Sequence, residues 1–240
     1  MKEKNIFMCV EKKDKIIAFV CAMHMEIEAL SACMENVCTK KLGYMDIVEG
    51  TLAGKKCIAA RSGVGKVNAA MSTTMLINHY NVETLINVGV SGGLLEEQNV
   101  GDIVISKNVI EHDFDTSALD GENGYGYKSE CDETLILKCE EVLKALNIPY
   151  YIGDTASGDV FVTKDMYLPR IKKLFPHCLN AEMEAGAVAH VCQNAGVPAL
   201  IIRSLSDITV KEGNSVDFMT FAQSASVRAA EVAKEIIKKL

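Results

Sequence analysis

Residues 85–90 read LINVGV, and this nearly uninterrupted run of apolar and β-branched residues decides the fold class. Two similar runs stand far from it along the chain, IIAFVCA at 16–22 and PALIIRSLSD at 198–207. Runs of this length suit strands that are buried on both faces, and such strands belong to sheets that helices cover on both sides. The pattern predicts an α/β fold, a three-layer α/β/α sandwich with a central mixed, mostly parallel sheet.

The segments between these runs alternate between helical and extended patterns. In residues 23–34, Ile27, Leu30 and Met34 follow the i, i+3 and i+7 spacing of one helix face. A polar, glycine-containing segment at 113–129 predicts a long mobile loop. The other predicted helices cover 66–80, 132–146, 183–196 and 216–240, and the other predicted strands cover two parts of 44–60 together with 102–112 and 150–159.

Composition and charge exclude several classes of protein. Hydrophobic residues make up 49% of the 240 residues and charged residues 24%, which is typical of a globular chain and not of a disordered one. A net charge of −7 without a basic run disfavours nucleic-acid binding. The sequence has no run of about 18 apolar residues, so no membrane span is predicted. The nine cysteines include no C-x-x-C pair, so they are expected to be reduced, buried thiols in a cytoplasmic protein.

Two glycine clusters resemble nucleotide-binding loops but lack the residues that those loops require. SGVGKVN at 62–68 has Ala60 and Val67 where a P-loop needs glycine and a hydroxyl residue. GVSGG at 89–93 lacks the G-x-G-x-x-G spacing of a dinucleotide site. Either cluster is compatible with a backbone that approaches a ligand closely or with a plain tight turn.

Acidic residues follow several of the predicted strands. Glu26 comes after the first strand, Glu182 and Glu184 precede a helix, and Asp207 ends the last strand. Ligands of open α/β sheets bind at the carboxyl ends of the strands, although each carboxylate alone is compatible with a surface charge. Paired carboxylates serve acid–base chemistry on glycosidic bonds.

His112 is followed by Asp113 and Asp115, which could form part of a metal site. The sequence has no second cluster of ligands at a suitable spacing, so no metal site is predicted.

Eight blocks of sequence together resemble one enzyme family. They are AFVCAMHMEIEAL, RSGVGKVNAA, INVGVSGGL, VGDIVIS, HDFDTSA, ASGDVFV, NAEMEAGAVAHVC and RSLSDI. In this order and spacing they resemble the bacterial 5′-methylthioadenosine/S-adenosylhomocysteine nucleosidases of the purine nucleoside phosphorylase superfamily. The resemblance implies a nucleoside phosphorylase-like fold in one domain over 15–240, with 1–14 as an N-terminal extension.

The resemblance implies a reaction and two catalytic residues. Members of the family hydrolyse the N-glycosidic bond of adenine nucleosides in methionine salvage and methyl-cycle recycling, with water as co-substrate and no cofactor. Glu26 matches the carboxylate that activates water, and Asp207 matches the acid that protonates adenine at N7, held by Ser206. An ordinary Asp titrates near ~3.9, so the pKa of Asp207 must be raised for the side chain to keep a proton near neutrality.

The same resemblance assigns the residues that bind substrate. Glu184 matches the carboxylate on the ribose hydroxyls, Met183 packs on the sugar, and Phe161 stacks on adenine. Val162 stands where backbone groups read the adenine edge. The wall around the sugar and its 5′ substituent is assigned to Val64 and Phe218.

The segment 113–121 bears on assembly and on the preferred substrate. In the resembled family it covers the 5′ pocket of a neighbouring subunit, which implies a homodimer. Thr116, Leu119 and Gly121 stand where the family usually has Val, Phe and Tyr, so the 5′ pocket is expected to be less aromatic. Methylthioadenosine, adenosylhomocysteine, 5′-deoxyadenosine and a modified futalosine all remain candidate substrates.

Two other functions remain open at this point. One is a nucleoside phosphorylase, which is disfavoured because the first loop at 21–27 contains no arginine to hold phosphate. The other is a non-catalytic purine-nucleoside-binding protein, which is disfavoured because Glu26, Glu184 and Asp207 occur together.

Overall fold

The computed structural model describes residues 14–240, and strands alternate with helices along that part of the chain. The predicted extension at 1–14 lies outside the described residues except for Asp14, and the assignment of 15–240 to one domain stays a prediction. The strands are β1 (Lys15–Cys21), β2 (Glu35–Leu42), β3 (Met45–Leu52), β4 (Lys55–Arg61), β5 (Asn81–Gly93), β6 (Ile103–Asp115), β7 (Tyr125–Glu130), β8 (Tyr150–Ser157), β9 (Cys178–Glu182) and β10 (Ala199–Ile208).

Among residues 14–240, five of the seven α-helices lie on segments that the sequence predicted to be helical. Two of these five have clear end signals. Asp132 caps the helix that follows it by accepting a hydrogen bond from the backbone N–H of Leu135, and Gly196 ends another in the left-handed conformation at φ 68°. The helices are α1 (His24–Ala32), α2 (Lys66–His79), α3 (Ser117–Asp120), α4 (Glu133–Ala145), α5 (Leu168–Leu174), α6 (Ala185–Ala195) and α7 (Asn214–Ile237).

Strand β1 explains the three layers. Its alternate side chains point to opposite faces of the sheet. Ile17 and Phe19 join a buried cluster with residues of α1, α4 and α7, whereas Ala18 and Val20 join a second cluster with residues of α2 and α6. The sheet therefore has helices on both sides, which confirms the predicted α/β/α sandwich.

The sheet is mixed and part of it closes on itself. The strand order is β10-β6-β8-β9-β5-β1-β4-β3-β2, with β7 paired to β6, and β10 also pairs with β5. Strands β5, β10, β6, β8 and β9 thus form a ring of neighbours. Between Leu205 and Asp207 the register of β10 on β5 shifts, so that Ser206 is an extra residue opposite the β5 backbone.

The prediction of a long loop at 113–129 is wrong. Strand β6 runs on to Asp115, α3 and a 3-10 turn at Gly121–Gly124 follow, and β7 returns along β6 as an antiparallel partner. The sequence interpretation also missed β2, α5 and β9. These elements are short or rich in polar residues, and they are held by pairing and packing partners that lie far away in the sequence.

The described cysteines are all free thiols, as predicted. Burial is complete or nearly so at five of them, Cys21, Cys57, Cys139, Cys178 and Cys192, whereas Cys33, Cys38 and Cys131 are partly exposed. Cys9 lies outside the described residues. Within residues 14–240, no helix is both long and apolar enough to cross a membrane.

Candidate active site

A cavity of about 280 Å³ lies at the carboxyl ends of the central strands. Three strand ends bring acidic residues to it: Glu26 follows β1 in the first turn of α1, Glu184 follows β9, and Asp207 is near the end of β10. The structure brings all nine residues that the sequence nominated to this cavity. They are Glu26, Val64, Phe161, Val162, Met183, Glu184, Ser206, Asp207 and Phe218.

The Glu26 carboxylate is buried and held by backbone donors. Oε2 accepts hydrogen bonds from the N–H groups of Ala22 (2.7 Å) and Met23 (2.8 Å), and Oε1 accepts one from Val90 (3.1 Å). Burial raises the pKa of Glu26, while the positive charge of Arg203 and these three backbone donors offset part of the rise. The carboxylate is therefore fixed in place with a proton affinity above that of an ordinary glutamate.

A buried ion pair stands beside Glu26. The guanidinium of Arg203, which is 1% exposed, donates from Nη2 to Glu182 and to the side-chain oxygen of Asn87. Glu182 also accepts hydrogen bonds from the backbone N–H groups of Glu184 (3.0 Å) and Ala185 (2.8 Å), where α6 begins. Glu182 is thus committed to structural contacts, although it lines the cavity.

Gly89 makes room for this arrangement. A Cβ atom at Gly89 would overlap the Glu26 carboxylate and lie 3.3 Å from Nη1 of Arg203. The glycine in the sequence GVSGG therefore permits a close approach of two charged side chains to the strand backbone. Gly89 lies within β5, so it does not form a tight turn; the close approach seen here is to side chains of the same chain, and an approach of this cluster to a ligand stays a prediction.

Glu184 occupies the neighbouring wall of the cavity. Its Oε1 accepts a hydrogen bond of 2.8 Å from the backbone N–H of Gly65, in the second glycine cluster. Burial and the nearby charge of Glu182 raise the pKa of Glu184, whereas Arg203 acts in the opposite direction. One carboxylate oxygen is fixed to the glycine loop, so the other remains for a ligand.

Asp207 lines the same cavity, and both of its carboxylate oxygens are hydrogen-bonded. Oδ1 accepts from the hydroxyl of Ser206 at 2.8 Å, and Oδ2 accepts from the side-chain amide of Asn214 at 3.0 Å. Adjacent side chains of a regular strand point to opposite faces, and the register shift at Ser206 allows these two to meet. Burial raises the pKa of Asp207, and the two hydrogen bonds offset part of the rise. The expected direction of this pKa is confirmed.

Apolar side chains form a slot between the acids. The rings of Phe161 and Phe218 meet edge to face with centroids 5.5 Å apart. Val162 is buried beside them, and Val64 is 49% exposed at the mouth. A flat, aromatic ligand would fit such a slot, with polar groups at its edges facing the carboxylates.

Three residues that the sequence interpretation did not nominate also shape the site. Arg203 and Asn214 contact acidic residues directly, and Thr209 lines the cavity with a buried hydroxyl that has no hydrogen-bond partner among residues 14–240. The sequence could have indicated Arg203, because this residue is a positive charge inside the largely apolar strand sequence ALIIRSLSD. Asn214 and Thr209 carried no comparable signal.

Thr116, Leu119 and Gly121 follow the end of β6 and do not line the cavity of their own chain. Because the resemblance places this segment at the 5′ pocket of a neighbouring subunit, its part in that pocket stays a prediction. Among residues 14–240, no cluster of three or more histidine, cysteine or acidic side chains could hold a metal ion. His112 is buried, and neither of its ring nitrogens has a hydrogen-bond partner within the described chain.

Comparisons with known proteins agree with this geometry. The family model of the phosphorylase superfamily matches residues 16–238. A 5′-methylthioadenosine/S-adenosylhomocysteine nucleosidase of Bacillus thuringiensis is 38% identical over 231 residues, which cover 93% of this chain and 99% of that protein.

Solved structures give the same result. The nucleosidase of Neisseria meningitidis in complex with methylthio-immucillin-A has a TM-score of 0.89 and 34% identity, covering 94% of this chain and 99% of that one. A futalosine hydrolase of Helicobacter pylori has a TM-score of 0.89 and 28% identity, covering 96% of this chain and 100% of that one. The chain belongs to the 5′-methylthioadenosine/S-adenosylhomocysteine nucleosidase family within the phosphorylase superfamily.

Proposed function

We propose that this cavity is the active site of an N-glycosyl hydrolase that releases adenine from 5′-substituted adenine nucleosides. The observation that carries the proposal is the meeting of three buried carboxyl groups, Glu26, Glu184 and Asp207, around one apolar slot. Burial raises the pKa of each of them, which is the condition for acid–base work near neutral pH. The named relatives support the same reaction.

Asp207 acts as the general acid for the purine leaving group. Cleavage of the bond between C1′ and N9 leaves its electron pair on the purine, which is a poor leaving group unless it gains a proton. A protonated Asp207 gives that proton to N7, and the resulting carboxylate is stabilised by the hydrogen bond from the Ser206 hydroxyl. A donor that is already in place needs no reorganisation as the negative charge arrives.

Glu26 acts as the general base for the attacking water. As the C1′–N9 bond lengthens, positive charge develops on the ribose, and water adds to C1′ while its proton passes to Glu26. The three backbone donors hold the carboxylate in one orientation. The products are adenine and the 5-substituted ribose, with one water consumed.

Glu184 binds the sugar. One of its oxygens is fixed by Gly65, and the other is available to the ribose hydroxyl groups. Met183 lies at the cavity wall next to it and supplies apolar contact to the sugar. Hydrogen bonds to the sugar that strengthen as charge develops contribute to the rate as well as to binding.

Charge distribution favours water over phosphate as the second substrate. Among the described residues that line the cavity, none is a lysine or an arginine. Arg203 is close, but its Nη2 donates to Glu182 and Asn87, and its charge is paired with that of Glu182. A phosphate dianion would therefore enter a site of carboxylates without a free cation, which is electrostatically unfavourable.

The decisive experiment measures adenine release by chromatography from methylthioadenosine, adenosylhomocysteine, 5′-deoxyadenosine and a modified futalosine, with and without phosphate. We expect release that does not depend on phosphate, and its loss in Glu26→Gln. Release that requires phosphate would identify a phosphorylase. Tight binding of all four nucleosides without release would identify a non-catalytic binding protein.

The same proposal includes a cytoplasmic homodimer. Phe114 and Leu119 are 41% and 87% exposed near the end of β6, and burial against a second subunit would remove them from water. Sedimentation at assay concentration tests this part. A fully active species of 26.1 kDa would contradict it.

A further inference from the structure

One side chain bridges the proposed acid and the backbone beside the base slot. Asn214 is the first residue of α7 and is 4% exposed. Its Nδ2 atom donates to Oδ2 of Asp207 at 3.0 Å and to the carbonyl oxygen of Val162 at 3.1 Å. The amide does not cap α7, because no side-chain hydrogen bond caps the start of that helix. The bridge is therefore directed at the site and not at the helix.

The chemistry of adenine makes this bridge informative. N7, an acceptor, and the 6-amino group, a donor, lie side by side on one edge of the base. If one oxygen of Asp207 protonates N7, its other oxygen faces the 6-amino group. That amino group and the Asn214 amide are both planar NH₂ groups with two hydrogens, and so they seek the same kind of acceptor.

We propose that Asn214 is an internal competitor of the 6-amino group of adenine. In the empty site its amide satisfies the acceptors on Asp207 and Val162, and it yields them when a 6-aminopurine enters. After cleavage the amide returns to these acceptors and helps to displace adenine. The inference rests on the proposed function and adds a specificity-determining residue to it.

The surroundings of Asn214 allow such an exchange. Gly213 precedes it with φ 80°, and a Cβ atom there would meet nothing within 4 Å. Further along the first turns of α7, Val216 and Met219 are 67% and 81% exposed, so this end of the helix has little packing to lose. Phe218 lies on the same turns of α7 and contacts Phe161. A shift of Asn214 would therefore also move one ring of the aromatic slot.

A purely structural role for Asn214 predicts a different result. If the amide only positioned Asp207, its removal would weaken the binding of every purine that contacts Asp207 through N7. Competition instead predicts tighter binding of bases that carry a 6-amino group and no change for bases that lack it. Adenine and unsubstituted purine differ in that group and share N7.

The test compares Asn214→Ala with the unmodified protein by measuring inhibition constants for adenine and for purine at one pH. Each of the two hydrogen bonds is worth about 0.5–1.5 kcal/mol, so the constant for adenine should fall by about fivefold or more. The constant for purine should change by less than about twofold. Both bases share the contact between N7 and Asp207, so a change confined to that contact alters both constants alike.

Two further variants complete the design. Ser215→Ala removes an exposed side chain from the same turn and should change neither constant. Asn214→Ser keeps a residue that suits a helix start but is too short to bridge both acceptors, and should reproduce the effect if Asn214→Ala is unstable.

The outcomes separate the two proposals. If Asn214→Ala changed the inhibition constants of adenine and purine equally, or weakened the binding of adenine, the proposal that Asn214 competes with the 6-amino group would be overturned. Failure of the unmodified protein to bind either base would overturn the proposed function itself.

Discussion

Replacement of Arg203 by methionine is expected to destabilise the fold and to change the pH dependence of catalysis. The guanidinium is 1% exposed and is the buried counter-charge of Glu182. Removal of one partner from a buried ion pair costs about 3–5 kcal/mol, because the other charge is left unpaired. Backbone donors at the start of α6 still bind Glu182, so we expect the lower end, about 3 kcal/mol.

That loss can be measured by thermal and urea unfolding. For a chain of this size, about 1 kcal/mol corresponds to roughly 2–4 °C, and so the melting temperature should fall by roughly 6–12 °C. Addition of Glu182→Gln to Arg203→Met removes the stranded charge. The double variant should therefore lose less stability than the sum of the single variants, by roughly 0.5–3 kcal/mol.

The pH profile supplies the second readout. Burial raises the pKa of Glu26, and the charge of Arg203 holds it down; the variant loses the second effect, and so the pKa of Glu26 rises further. Glu26 works as a base when ionised, so the acidic limb of kcat/KM should move to higher pH. A variant with unfolding free energy within about 1 kcal/mol of the parent and an unmoved limb would refute this account of Arg203.

Three other substitutions probe the site from different sides. Asp207→Asn keeps the size of the acid but removes its proton, so adenine release should fall by about 10²–10⁴-fold while analogue affinity changes much less; an active variant would exclude Asp207 as the general acid. Gly89→Ala places a methyl group against the Glu26 carboxylate and should abolish most turnover in steady-state assays, whereas unchanged kinetics would show that Glu26 need not hold its position. Thr209→Val replaces a buried hydroxyl, unpartnered among residues 14–240, by a methyl group, and should raise the unfolding free energy by about 1 kcal/mol; calorimetry that finds a loss would mean that the hydroxyl is satisfied in solution.

The sequence was most informative where local pattern and burial coincide. Strand β1 could be predicted because every residue from Ile16 to Cys21 is buried, so that the whole run is apolar. The carboxylates Glu26 and Asp207 could be placed at one edge of the sheet because each follows such a run. The confirmed fold and the shared cavity follow from those two observations, while the roles of the individual residues stay predictions.

Other features depend on contacts between distant parts of the chain. Strand β7 reads YGYKSE, in which a glycine and two charged residues offset the strand preference of the two tyrosines. Its pairing with β6 stabilises it, and Gly126 at φ 76° lies where the register of that pairing shifts. Arg203 and Glu182 lie on different strands, and no local rule pairs them. Asn214 reaches Val162 across 52 positions of sequence. Such partners become visible only when the strands are set side by side.

The extra residue in β10 has a consequence for anyone who would transfer this activity to another sheet. A regular strand presents every second side chain to a given surface, so a hydroxyl and the acid it supports could not be sequence neighbours there. The register shift removes that restriction at one point and leaves the regular pairing of β10 with β5 from Ala199 to Leu205 intact. If the aspartate were transferred to another strand without the inserted serine, its side chain would point to the opposite face of the sheet. Insertions and deletions in this short stretch should therefore be far less tolerated than substitutions.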